Sequence, residues 1–273
     1  PGVVACLCPL GADNASLFLD LAASDGLPVE YVAVPGLTRH CYTLLETGTG
    51  RATELVVNEP QFAPAPRGTA DMPPVSDAWE RAAGELFGRF DALLSANGPD
   101  GQAAGRIEAV LLAGSRPAGF PGDHYARLAA RAVAAGALVL VGYHGTDLLR
   151  TLDLAVPSVI KINEEEFCAT FGYPFPADEA RLLGDIAAKS AELGNCIVVT
   201  RGSRDTLAAS AGRTYRQPVT PVEPVNVIGC GDSFAAGLVF SLLDSPDVSA
   251  ALEKATWCAS RNALSLRPGS VAG

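Results

Sequence analysis

Short runs rich in Val, Ile and Leu alternate along this chain with stretches whose apolar residues recur every three to four positions. The runs Val3–Cys8, Tyr31–Val34, Ile107–Ala113, Leu138–Tyr143, Val159–Ile162 and Cys196–Thr200 predict strands. The helical period predicts helices over Ala15–Ala23, Ser76–Leu94 (with Ser76 capping), Pro121–Ala135, Thr146–Leu152, Glu164–Phe171, Glu179–Leu193, Ser233–Leu243 and Ala250–Leu264. Two hairpins are expected: His40–Glu46 with Ala52–Asn58 across Thr47-Gly48-Thr49-Gly50, and Thr206–Ser210 with Arg213–Arg216. Pro60–Pro74, dense in Pro and Ala, reads as an irregular connection. Buried strands alternating with helices predict an α/β fold, a mostly parallel sheet covered on both faces. Ligands in such sheets bind beyond the carboxyl ends of strands. Gly114, Ser115, Asn163, Glu166, Gly202 and the run Gly229–Asp232 all fall there.

Composition narrows the picture. The 273 residues are 48% hydrophobic and 18% charged, enough to bury a large core. A net charge of −10, spread along the chain, argues against a nucleic-acid partner. No apolar run reaches membrane-span length, and the start carries no basic-then-apolar signal pattern. The seven cysteines lie mostly in apolar runs and match no zinc spacing, so they read as buried, reduced thiols of a cytoplasmic protein. The chain begins at Pro1 and reads as processed or as part of something longer.

The most informative stretch is Asn226-Val227-Ile228-Gly229-Cys230-Gly231-Asp232-Ser233. Two glycines flank one small residue, an aspartate follows, and an apolar helix begins. Converging amides at a helix start stabilise anionic phosphate, and the adjacent carboxylate can take a proton from an attacking hydroxyl. The same residues also make an ordinary Gly-rich turn with Asp232 as a cap. Asn163 and Glu166 have capping-box spacing, yet both could also hold water around Mg2+. Gly202 suits a plain strand exit, or a backbone that lets a nucleotide approach Thr200 and Arg201. Arg39 is either a solvated strand-edge charge or a clamp for a phosphate monoester. His124 and His144 have no partner at ligand spacing and read as surface or packing histidines. No Gly-x-Ser-x-Gly elbow or Gly-x-Gly-x-x-Gly turn supports a hydrolase or a nicotinamide site.

Together these segments resemble the phosphofructokinase-B family, the ribokinase-like sugar kinases. Gly229-Cys230-Gly231-Asp232 is similar to its Gly-x-Gly-Asp signature, Asn163 to Glu166 to its Asn-x-x-Glu element, and Gly114-Ser115-Arg116-Pro117-Ala118-Gly119 to its Ser-Gly-Ser-x-Pro-x-Gly segment. Thr38-Arg39-His40-Cys41, with Thr53-Glu54-Leu55, looks like the 1-phosphofructokinase and tagatose-6-phosphate kinase branch. The resemblance implies a three-layer α/β/α sandwich over residues 1–273, with 38–58 as what remains of a lid hairpin. It implies phosphoryl transfer from ATP, with Mg2+, to a hydroxyl of a sugar phosphate. Asp232 would be the base and Gly229, Cys230 and Gly231 the anion hole. Arg39, Gly114 and Ser115 would serve the substrate, Thr200, Gly202 and Asn262 the nucleotide, and Asn163 and Glu166 the metal. The lid is a candidate homodimer surface.

The chain also departs from the family. The Gly-Gly-Lys-x-x-Asn sugar-binding element and the family's opening strand and last helix have no match here. Gly142 stands where the branch tends to have Asp, and Asp205 replaces a usual glycine, adding negative charge near the expected phosphates. A non-catalytic nucleotide-binding relative therefore stands as an alternative, as does a free-sugar or nucleoside acceptor.

Overall fold

The computed structural model describes residues 4–46, 52–57, 77–95 and 107–271. The expected loop at 47–50, the connection at 60–74 and the Ser76 cap lie outside the described residues. The chain divides into two compact units, residues 1–105 with 116–124, and residues 106–115 with 125–273.

In the first unit, β1 (Cys6–Gly11) pairs in parallel with β2 (Val29–Val34), and α1 (Ala15–Ser24) connects them. The strand expected over Val3–Cys8 is displaced to Cys6–Gly11 and runs through Pro9. Among the described residues β1 pairs with β2 alone, and Pro9 falls on the side turned away from β2, so its missing N–H costs no bond in that ladder. Strands β3 (His40–Leu45) and β4 (Ala52–Val57) form a separate antiparallel hairpin with Tyr42 opposite Leu55. Helix α2 (Asp77–Leu94) buries Trp79, Ala83, Leu86, Phe87 and Phe90, a face repeating every three to four residues. His124 packs between the rings of Phe87 and Phe120, at 4.8 and 4.5 Å, as a core histidine.

The second unit holds β5 (Ala109–Ala113), α3 (His124–Ala134, all but its first residue), β6 (Leu138–Gly142), α4 (Gly145–Leu154), β7 (Val159–Asn163), α5 (Glu164–Phe171), α6 (Glu179–Leu193), β8 (Cys196–Arg201), β9 (Arg204–Ser210), β10 (Arg213–Gln217), α7 (Cys230–Asp244) and α8 (Val248–Ala263). Its sheet runs β10-β9-β8-β7-β6-β5, parallel from β5 to β8 and antiparallel at β9 and β10. The β8–β9 link is a two-residue turn in which Gly202 adopts φ 65, a left-handed conformation that a side chain would strain.

Alternation along the central strands explains the layers. Cys196 and Val198 join Leu140, Val159, Phe234, Leu238, Leu252 and Ala255 in one core beneath α7 and α8. Ile197 and Val199 point the other way, the face on which α6 packs. Each fully buried Leu or Ile contributes about 1.5–3 kcal/mol. Helices α7 and α8 cross closely at Gly237, where a Cβ would stand 2.8 Å from Cys258 Sγ and 3.1 Å from the Ala255 Cα. That crossing fixes the axis of α7 and so where its first turn lies.

All seven cysteines are free thiols; Cys168, Cys196 and Cys258 are buried. Cys41 is exposed, against the expectation; among the described residues β3 pairs with β4 alone. No described helix is long and apolar enough to cross a membrane.

Candidate active site

The strand ends carry the chemistry. In the sheet register Ala113 lies opposite Gly142 and Asn163 opposite Thr200, so the carboxyl ends of β5 to β8 are level. Beside them begins α7. Its N-cap, Gly229, has φ 78 and ψ 0 and provides no side-chain cap. The Cys230 N–H reaches Val227 O at 3.3 Å, and the Ser233 N–H closes the first turn on Gly229 O at 2.9 Å. Between them the Gly231 and Asp232 amides belong to the first turn, where a helix offers no carbonyl of its own. Asp232 is exposed in that turn.

A clamp behind the turn holds it open. Asn262 is fully buried. Its amide donates to Ile228 O at 2.7 Å and to Cys230 Sγ at 3.3 Å, and its Oδ1 accepts from Ser233 Oγ at 3.2 Å and Gly269 N at 2.6 Å. Asn226 adds bonds from its amide to Leu266 O at 3.0 Å and from Ile228 N to its Oδ1 at 3.0 Å. A Cβ on Gly229 would meet Gly269 N and Pro268 Cβ at 3.2 Å and Asn262 Oδ1 at 3.3 Å. Asn262, expected beside the adenine, thus spends its polar atoms on the loop from beneath.

The Asn163–Glu166 element forms the capping box. Glu166 N donates to Asn163 Oδ1 at 2.8 Å, and Asn163 N donates to Glu166 Oε2 at 2.9 Å. Glu166 Oε1 lies outside that exchange, 3.8 Å from His144 Nε2. His144, read from sequence as surface or packing, therefore stands at the site. Among the described residues no three carboxylate, imidazole or thiol groups converge into a metal cage. Magnesium carried by a nucleotide needs none, since one or two carboxylates with water and phosphate suffice. Glu166 Oε1 beside Asn163 fits that demand.

Sequence reasoning gave no role to Lys161. It lies on β7, half-buried, and a Cβ added to Gly231 would stand 3.1 Å from its Nζ. Burial pushes its ammonium pKa down, against the upward pull of the Asp232 and Glu166 carboxylates. The available signal was a lone charge inside the apolar strand Val159-Ile160-Lys161-Ile162.

Two residues expected near nucleotide phosphates are turned elsewhere. Arg201 is buried and pairs with Glu164 Oε2 at 3.2 Å and Glu179 Oε2 at 2.7 Å. Asp205 Oδ2 takes Arg216 Nε at 2.7 Å, Arg216 also reaches Glu179 at 2.9 Å, and Arg204 pairs with Glu164. Three arginines and three carboxylates balance, so the Asp205 charge is compensated inside the protein. The network ties the end of β8 to the starts of α5 and α6. Gly202 is exposed, with open space where a side chain would be. Gly114, φ 84, ends β5, and Tyr125 Oη lies 3.0 Å from both the Ala113 and Gly114 carbonyls; Ser115 is exposed beside it.

Arg39 belongs to the first unit, immediately before β3, and is exposed. The backbone leading to it is fixed. Gly11 N donates to Thr38 Oγ1 at 2.8 Å, Thr38 N to Asn14 Oδ1 at 2.8 Å, and Asn14 Nδ2 to Thr38 O at 3.2 Å. Gly11 must be glycine, because a Cβ there would lie 2.1 Å from Thr38 N.

The site thus brings Asp232, Gly231, Lys161 and Glu166 together, with Asn163 and Thr200 level at the strand ends. Residues 92–270 match the model of the pfkB family carbohydrate kinases. The chain is 30% identical over 244 residues to a 1-phosphofructokinase of Xanthomonas campestris pv. campestris, covering 88% of this chain and 68% of that protein. It superposes on phosphofructokinase-2 of Escherichia coli in complex with potassium at TM-score 0.73 and 15% identity, over 97% of this chain and 77% of the other. It superposes on the Thermotoga maritima ribokinase at TM-score 0.61 and 17% identity, over 96% and 75%. At such identities the structural likenesses establish the ribokinase-like α/β fold. The family match and the bacterial relative go further: this chain belongs to the pfkB family of carbohydrate kinases.

Proposed function

We propose that the protein transfers the γ-phosphoryl group of ATP to a hydroxyl of a sugar phosphate, in the manner of a hexose-phosphate kinase. The observation that carries this reading is the uncapped first turn of α7, with Asp232 in it and the Lys161 ammonium beside it. Asp232 takes the proton of the attacking hydroxyl as its oxygen bonds to Pγ. The bond from Pγ to the bridging oxygen of the β-phosphate breaks, and ADP keeps its electron pair. The amides of Gly229 and Gly231, and that of Cys230 on exchanging its 3.3 Å bond to Val227 O for phosphate, stabilise with the helix dipole the charge gathering on the phosphoryl oxygens. Glu166 and Asn163 would hold Mg2+, which neutralises phosphate charge, through water. Thr200 and Gly202 are assigned to the nucleotide, Gly114 and Ser115 to the sugar, and Arg39 to the phosphate already on the acceptor. Asn262 supports the loop.

Release of ADP, followed by a coupled assay over a panel of sugar phosphates, tests this reading. Turnover well above background with at least one of them is expected, and Arg39→Ala should raise its KM steeply. A KM unmoved by Arg39→Ala points instead to a free sugar or nucleoside as acceptor. Gly142, where a related branch carries a carboxylate, favours a second reading, a nucleotide-binding relative without turnover; ADP release at background throughout is its signature.

The hairpin presents Tyr42, Leu44 and Leu55 to solvent on one face. We assign that face to pairing with a second copy of the chain, and Tyr42→Lys should lower the mass seen by light scattering. Free thiols support a reducing, cytoplasmic setting.

A further inference from the structure

Glu164 and Arg201 are charged and buried, and neither takes part in the proposed chemistry. Their side chains are only 4% and 3% exposed, and Arg201 Nε donates to Glu164 Oε2 at 3.2 Å. A buried ion pair is a poor source of stability, since apolar side chains of similar size often serve the fold as well or better. What it adds is geometry: a planar guanidinium fixes direction as well as distance for each carboxylate it meets. The place of the pair in the fold shows what is held.

Each member adjoins residues assigned to the reaction. Glu164 directly follows Asn163, the N-cap of α5, and lies two positions before Glu166. Arg201 stands between Thr200 and Gly202 at the end of β8. Side chains alternate along a strand, so Thr200 shares the face of Val198, beneath α7, while Arg201 shares that of Val199, on which α6 packs. The strand end thus turns Thr200 towards the side of α7 and is gripped from behind through Arg201. The grip takes both legs of the β8–β9 turn. Glu164 Oε2 also pairs with Arg204, the first residue of β9, and Arg201 Nη1 reaches Glu179 Oε2 at 2.7 Å and Asp205 O at 3.4 Å. The ladder itself is irregular there: Val199 pairs with Leu207 and Arg201 with Arg204, so Thr200 faces two residues, Asp205 and Thr206. Such a bulge interrupts the pairing that would otherwise set the position of the turn. Glu164 supplies a tie at that point, and the tie runs to the start of α5.

We infer that Glu164 and Arg201 are a pair of positioning residues that hold the metal-bearing start of α5 in register with the nucleotide-bearing β8–β9 turn, so that Mg2+ at one and a nucleotide at the other strengthen each other's binding. This rests on the reading of the site as a phosphoryl-transfer centre served by Mg2+. Without the pair, Asn163, Glu166, Thr200 and Gly202 all remain, and what is lost is the coupling between them.

The test measures calorimetric affinity for ADP with Mg2+ and with EDTA, turnover, and the thermal midpoint. It compares the full chain with the double variant Glu164→Ala and Arg201→Met, which removes both buried charges. The wild type should bind ADP more tightly with Mg2+ than in EDTA. In the double variant that gain should shrink about fivefold or more, while the affinity in EDTA stays the same. Turnover should fall about 10²-fold, as when reacting groups are misplaced. Arg201→Lys keeps the charge but not the planar fork, so it should lose part of the gain, and it carries the test if the double variant does not fold. Arg216→Ala, which strips an exposed member from the same network, should leave the gain unchanged. An unaltered gain in the double variant, or in Arg201→Lys where that variant does not fold, overturns the positioning role and, with an active wild type, leaves the kinase reading intact. Equal weakening with and without Mg2+, or a lower midpoint alone, marks a purely structural pair and overturns it too. An equal loss of the gain in Arg216→Ala, or no gain in the wild type, does the same. If the wild type phosphorylates no acceptor, yet the double variant loses the gain, the positioning role is upheld and the kinase reading fails. No nucleotide binding by the wild type overturns both.

Discussion

Helices α5 and α7 both begin beside the carboxyl end of β7, and they finish their first turns in opposite ways. At α5 the donors are answered from within: Asn163 and Glu166 exchange two hydrogen bonds, and Glu164 is locked to Arg201 inside the protein. At α7 the cap is a glycine with no side chain, and an Asn262 clamp holds the loop from behind instead of capping it. A helix that satisfies its own amides gains stability and has little left for an anion. One braced from beneath keeps its amides directed outward. The difference separates a turn closed by its own residues from the turn that the proposed function offers to phosphate.

The comparison can be broken at several points. Asp232→Asn should leave ADP affinity unchanged and cut turnover about 10²–10⁴-fold in the coupled assay; near-normal turnover means that the open turn carries no base. Next, Glu164→Ala at the closed start leaves Arg201 buried beside a lost partner and should cost about 3–5 kcal/mol in a denaturant titration. The double variant with Arg201→Met should recover part of that loss. Gly229→Ala forces a side chain into φ 78 and against Pro268, Gly269 and Asn262, an expected cost of about 1–3 kcal/mol. A wild-type denaturation midpoint in this variant would show that the clamp does not hold the loop in this form. Smallest is Asn163→Ala, which loses a cap worth about 1 kcal/mol. Glu166→Gln can still accept from the Asn163 N–H, so its stability should hold while the Mg2+ concentration for half-maximal turnover rises. An unchanged Mg2+ dependence would reduce Glu166 to a capping residue.

Much of this arrangement was legible in the residues. Gly229 to Asp232, and Asn163 with Glu166, announced themselves because turn and cap chemistry is local, and the order of strands and helices followed from periodicity. Distant partners were not legible. Nothing near Asn262 in sequence says that its amide will lie under Ile228, and a lone Lys161 in an apolar strand does not say which glycine makes room for it. Arg201 and Asp205 were misread for the same reason: their partners Glu164, Glu179 and Arg216 lie 11 to 37 positions away. β1 lies at Cys6–Gly11 and not at Val3–Cys8 because its extent is set by the pairing with Val29–Val34, which is distant in sequence.

The bond from Gly269 N to Asn262 and the one from Asn226 to Leu266 O mean that residues 265–269, though none of them is given a chemical role, set the shape of the loop proposed to carry the chemistry. Shortening the polypeptide to residue 264, or fusing a tag there, would relax a bend thirty-odd positions upstream. Loss of phosphate affinity in such a preparation would be a mechanical effect of the missing tail, and any assay of this protein should keep that stretch intact.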